Sequence, residues 1–168
     1  MRIELMTETH WPVVEAIYRE GIATGHATFA TEPPSSWEAW AAGKINPCSL
    51  VARAGDQVLG WAAVGPTSAR ACYAGVAEHS VYVAGAARGR GVGQALLEEL
   101  FRVTEAAGIW TLQSSIFPEN AASHALHLRC GFREVGRRER IALMAYGPLE
   151  GRWRDTIIFE RRSSSVGI

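Results

Sequence analysis

No stretch of this sequence holds enough consecutive apolar residues to cross a bilayer as a helix, so membrane insertion is not expected. Nor does charge of one sign prevail. Lysine plus arginine total 17 and aspartate plus glutamate total 17, giving a formal net charge of zero. A general nucleic-acid binder needs a basic surplus, so no such partner is expected. Cysteine is sparse: Cys48, Cys72 and Cys130 are odd in number and far apart. They make neither a disulfide framework nor a CxxC metal site, and they fit free thiols in a reducing cytoplasm. Met1 to Met6 carries an early glutamate and no long apolar run, unlike a secretory signal. Internal repeats and linkers are missing too.

What is present is 168 residues, 48% hydrophobic and 20% charged, enough to bury an ordinary core without staples. The expectation is one domain over residues 1–162 and a flexible tail from Ser163 to Ile168. Met1 to Met6 alternates like an edge strand. Thr7 can cap a helix carrying Val13, Ile17 and Tyr18, which Gly21 or Gly25 would end. Ser35 or Ser36 can cap a short helix through Trp37 and Trp40. Ser49 to Ala54 and Gln57 to Val64, joined by Gly55-Asp56, read as a hairpin. Further strands are expected at 77–84, 109–117, 132–146 and 153–160. An amphipathic helix carries Leu96, Leu97 and Leu100, and another starts after Asn120 and stops at Gly131. The order predicts an α/β fold with a mixed central sheet flanked by helices, and a strand–turn–helix–strand crossover at its centre.

That crossover turn carries the chemistry. Arg88-Gly89-Arg90-Gly91-Val92-Gly93 lies between a strand and a helix start. Glycine lets backbone approach a ligand closely, and N–H groups with the dipole at a helix start favour phosphate. A Walker loop would close on Gly-Lys-Ser/Thr, which is missing. A dinucleotide fingerprint would want a third glycine where Leu96 stands and an acid after the next strand, and has neither. One glycine would satisfy a plain turn; the cluster here reads as a phosphate cradle.

Arg88-x-x-Gly91-x-Gly93 after Val81-Tyr82-Val83, with Asn120-x-x-Ser123-x-x-Leu126-His127-x-x-x-Gly131-Phe132 downstream, resembles the two cofactor segments of the Gcn5-related N-acetyltransferase (GNAT) superfamily. Thr28-Phe29-x-Thr31-Glu32-Pro33, Arg70-x-x-Tyr73, Glu78-His79-Ser80-Val81-Tyr82-Val83 and Gly151-Arg152-Trp153-x-Asp155 are similar to its phosphinothricin/methionine sulfoximine N-acetyltransferase group. The resemblance implies a sheet that splays beside the 77–84 strand, with acetyl-CoA as cosubstrate and no metal. Val81, Tyr82 and Val83 would bind the pantetheine, and the Val83 N–H would serve as an oxyanion donor. Arg88, Gly89, Arg90, Gly91, Val92, Gly93 and Gln94 would hold the pyrophosphate, and Asn120 the pantetheine arm. Glu78 would accept the amine's proton, and His127 would donate to the thiolate or relay a proton. Phe29, Glu32, Arg70 and Tyr73 would form the acceptor site, Arg70 gripping a carboxylate bidentately. A homodimer is implied as well. His124 and His127 imitate a metal pair, but no third ligand is evident.

The acceptor expected is the primary amine of a small amino-acid-like compound. Acetylation of a protein N-terminus or lysine, and a non-catalytic acetyl-CoA-binding module, stay open as alternatives.

Overall fold

A computed structural model describes residues 1–168. The strands are β1 (Arg2–Leu5), β2 (Ser49–Ala54), β3 (Gln57–Pro66), β4 (Val76–Val83), β5 (Thr111–Ile116), β6 (Arg133–Leu143) and β7 (Trp153–Arg162). The helices are α1 (Trp11–Ala23), α2 (Trp37–Ala41), α3 (Val92–Ala106) and α4 (Ala121–Arg129). The strands form one open sheet in the order β1-β2-β3-β4-β5-β7-β6. Every neighbouring pair is antiparallel except β4 and β5. This is the mixed α/β architecture that the order of sequence patterns implies.

The central strand explains its own sequence. β3 is buried without a break from Val58 to Val64, because helices cover both faces of the sheet. Its run is therefore continuously apolar rather than alternating. On one face, Leu96, Leu97 and Leu100 of α3 pack on Leu50, Leu112 and Phe159. On the other, Trp11, Val14 and Ile17 of α1 and Trp40 of α2 pack on Trp61. Trp61 in turn stacks on Tyr82, ring centroids 4.6 Å apart and 15° from parallel.

β4 and β5 pair only at Val76–Thr111, Ala77–Leu112 and Glu78–Gln113. Beyond Glu78 the two strands part, and the sheet is splayed as expected.

Several details differ from the sequence reading. Gly21 does not end α1 but lies buried inside it. A Cβ there would meet the Tyr82 ring at 2.5 Å, so the glycine serves close packing rather than termination. Gly25, at φ +68, follows the helix end. β6 stops at Leu143, short of Tyr146, and its register shifts twice. The last residues fold back: Ser163 N–H donates to the Trp110 carbonyl at 2.7 Å, and Arg162 Nη2 donates to Gly167 O at 2.9 Å.

Because α3 docks through fully buried leucines, Leu100→Ala should cost about 2–5 kcal/mol of stability. Urea unfolding should show the midpoint falling with an unchanged slope, and an unmoved midpoint would contradict this packing.

Candidate active site

The cradle follows from backbone geometry. Gly89 and Gly91 have φ of +73° and +76°, a region that only glycine enters freely. Gly91 is the N-cap of α3 and offers no side-chain cap, and the first turn holds no acidic residue. None of the backbone N–H groups from Gly89 to Gln94 finds an acceptor within the chain. Such a row of free donors at a helix start binds an anion. A Cβ at Gly93 would lie 2.9 Å from Leu126 Cδ2, so a side chain there would have to push the end of that leucine aside.

The groove beside it comes from the parted strands. Ala84 N–H donates to Leu59 O at 2.9 Å, and Tyr82 opposes Trp61 in the same register. Alternate residues of an antiparallel strand face the same neighbour. The backbone polar groups of Val83 and Val81 therefore point away from β3, into the gap that β5 has left. A cleft of 560 Å³ runs from this edge to the cradle, lined by Val81, Val83, Arg88, Gly91, Gly93 and Gln94 among others. It continues into a smaller cavity of 260 Å³ at the fork, bounded by Glu78, Ser80, Phe29, Phe117, His79 and His127 among others.

The loop between α1 and α2 walls both spaces, and three separate elements hold its carbonyls. Arg154 of β7 is 3% exposed, and donates to Gly25 O at 3.1 Å and to Glu119 Oε2 at 3.1 Å. Its guanidinium lies 3.9 Å from the centre of the Phe117 ring. Asn120 Nδ2 donates to His26 O at 3.1 Å, and Tyr146 Oη to Thr28 O at 2.7 Å.

The sequence candidates divide accordingly. Val81, Tyr82, Val83, Arg88, Gly89, Gly91, Val92, Gly93, Gln94 and Asn120 all line the large cleft. Arg90 is exposed and lies off that lining. Asn120 has both amide ends in use, because its Oδ1 also accepts from Ser123 N–H at 3.2 Å; it acts as a helix cap and loop tie. Gln94 Nε2 donates to Glu98 at 2.8 Å.

Glu78 and His127 both border the fork cavity, with Phe29 set edge-on to Phe117 in its wall. Glu78 shares its face of the sheet with Lys44, whose ammonium burial pushes down while the Glu78 charge partly holds it up. Glu32, Arg70 and Tyr73 line neither space. Arg70 rests instead over the exposed Tyr73 ring, 5.7 Å from its centre.

Sequence reasoning did not select His79, Arg138, Tyr146 or Arg154. His127 Nε2 lies 2.9 Å from His79 Nε2, and Arg138 Nη2 donates at 2.8 Å to Ser115, whose side borders the fork cavity.

A forked sheet whose free strand edge leads to an uncapped helix start is the groove of an acyl-coenzyme A-dependent transferase. The family model described as "Acetyltransferase (GNAT) family" matches residues 13–132. The phosphinothricin N-acetyltransferase of Alcaligenes faecalis is 32% identical over 95% of this chain and 81% of its own. The L-methionine sulfoximine/L-methionine sulfone acetyltransferase of Pseudomonas aeruginosa PAO1 is 32% identical over 86% of this chain and 84% of its own. The crystal structure of a GNAT phosphinothricin acetyltransferase from Sinorhizobium meliloti, in complex with AcCoA, superposes with a TM-score of 0.85. It is 29% identical, covering 99% of this chain and 90% of that one. The chain belongs to the GNAT family of acetyl-CoA-dependent N-acetyltransferases and is related to the phosphinothricin acetyltransferases.

A β-branched residue is strained at the Gly91 backbone conformation. Gly91→Val should therefore distort the cradle and raise the coenzyme A Kd by about tenfold or more, a loss matching the ~1–3 kcal/mol of such strain. Calorimetric titration reads this directly, and an unchanged Kd would remove the cradle assignment.

Proposed function

We propose that this enzyme acetylates the primary amine of a small amino-acid-like acceptor of the phosphinothricin or methionine sulfoximine type. The observation that carries the reading is the 260 Å³ cavity at the fork, bordered by Glu78 and walled on one side by the tied 25–29 loop. A space that small suits an amino-acid-sized molecule. The acceptors for which the two relatives are named support the same class.

Bound acetyl-CoA supplies an acetyl thioester as the electrophile. The N–H groups from Gly89 to Gln94, with Arg88 beside them, hold the pyrophosphate. The free edge at Val81 and Val83 holds the pantetheine, and the Val83 N–H serves as the donor to the carbonyl oxygen, where charge develops. An amino-acid ammonium must lose a proton before it can attack. Glu78 takes that proton, directly or through a water. His127, on the opposite side of the fork, is the second catalytic candidate. Two arginines are candidates to grip an acceptor carboxylate: Arg138, next to Ser115 at the cavity, and Arg70, further out. Phe29 walls the acceptor, while Glu32 and Tyr73 belong to the outer rim.

The proposal extends to residues 1–162 acting as one catalytic domain in the cytoplasm, supported by the free thiols of Cys48, Cys72 and Cys130. It includes a homodimer, supported by the exposed apolar side chains Val135, Ile141 and Leu143 of β6 and Trp153 of β7.

Thiol release from acetyl-CoA across phosphinothricin, methionine sulfoximine, free amino acids and a peptide N-terminus tests the acceptor class. The amino-acid analogues should turn over and the peptide should not; preference for the peptide overturns the reading. Glu78→Gln should lower kcat by roughly 100-fold or more with little change in KM. Arg138→Ala should raise KM for carboxylate-bearing amines by about tenfold, more than Arg70→Ala does.

A further inference from the structure

The histidine pair at the fork is a buried titratable cluster whose protonation the mechanism above does not assign, and His79 is the member it leaves without a role. His79 is 2% exposed and His127 is 1% exposed. His79 is the first β4 residue past the last β4–β5 pair, Glu78–Gln113. Its Nε2 lies 2.9 Å from the Nε2 of His127 on α4, a residue 48 positions away in the chain. Two nitrogens that close need a proton between them, and they need a lone pair on one side.

The partners of the other nitrogens say which side. His127 Nδ1 lies 2.7 Å from the Ser123 carbonyl oxygen. A carbonyl only accepts, so His127 Nδ1 carries a hydrogen. The neutral His127 ring then presents a bare lone pair at Nε2, and the shared proton belongs to His79 Nε2. His79 is consequently the Nε2–H tautomer with its own Nδ1 bare, and that Nδ1 is buried without a hydrogen-bond partner. The neutral state of both rings is favoured by their surroundings. Phe132 stands 4.9 Å from each ring centre, and Phe159 stands 5.7 Å from that of His127. Burial drives the His79 imidazolium down to about 3, with His127 adding to the effect and the Gln113 backbone opposing it. Burial also lowers His127.

We propose that His79 is a positioning residue: by donating its Nε2–H to His127 Nε2, it locks His127 as the neutral Nδ1–H tautomer with its ring fixed at the fork of the sheet. His127 then meets the cavity with both nitrogens engaged. It cannot act as a free acid in the resting enzyme, and any proton it handles is governed through His79. The functional part of this inference rests on the catalytic reading of His127 given above; the tautomer does not.

Two readouts separate them. In the ¹⁵N-histidine-labelled protein near neutral pH, long-range ¹H–¹⁵N spectra should show His127 protonated at Nδ1 only and His79 at Nε2 only. In His79→Leu, which keeps bulk but has no donor, His127 should lose this single tautomer. Turnover should fall about tenfold while the KM for acetyl-CoA holds, and His79→Gln, whose amide can donate, should recover it to within about threefold, as expected for one hydrogen bond. Circular dichroism and melting would verify that both variants fold. An Nε2–H or charged His127 in the wild type overturns the proposal. So do equal kinetics for the Leu and Gln variants where His127→Phe itself lowers turnover. If His127→Phe leaves turnover unchanged while the spectra match, the catalytic reading of His127 fails and the tautomer lock stands.

Discussion

The structure depends on one unsatisfied obligation. Backbone N–H and C=O groups in a folded interior must find partners, and from Val81 to Val83 the outward edge of β4 has lost the strand that would supply them. A sheet edge left open inside a protein is a template for another extended chain. Here the opening leads to a helix start whose N–H groups also lack acceptors. One extended ligand with an amide-bearing arm and a phosphate end satisfies both. The fold thus stores, as unmade hydrogen bonds, the outline of its cosubstrate.

The parting has to be held in place, and the side chains around it do so by long-range contacts. Trp61 and Tyr82 stack on one face of β4, with Tyr18 edge-on at 4.9 Å. On the other face, the His79–His127 bond sits where the ladder gives out. Arg154 shows how a charge can be buried here. Its guanidinium faces a carbonyl, a carboxylate and an aromatic ring, so the cost of removing it from water is offset by partners that also fix the 25–29 loop.

What was legible in the sequence was local. Gly55-Asp56 marks the β2–β3 hairpin because the turn needs those residues wherever it occurs. Ser36 accepts from Ala39 N–H and caps α2 as its position suggested. The cradle could be read because Gly89 and Gly91 encode positive φ within a few residues of each other. What was not legible was set by distant partners. Nothing near His79 announces His127, and nothing near Arg154 announces Gly25, 129 residues earlier. Gly21 read as a helix stop because its true reason, the Tyr82 ring against its Cα, lies across the fold. Nothing near Ser163 announces its bond to Trp110 either.

The same division explains why the reaction is easier to read than the acceptor. The cosubstrate side is built from backbone: free N–H groups, positive-φ glycines and a strand edge. Backbone geometry leaves a short, position-specific mark in sequence, so the groove is recognisable even where other residues differ. The cavity proposed for the acceptor is lined by side chains at the meeting of four segments: Glu78 and Ser80 on β4, Ser115 on β5, Phe117 beyond it, and Phe29 in the loop. Each can change without disturbing the cradle, because none of them contributes to it. Selectivity for the acceptor can therefore drift while the acetyl donor stays fixed. The drift is bounded by the ties at Thr28 and Gly25, since a larger acceptor would have to displace a loop held by Tyr146 and a buried arginine.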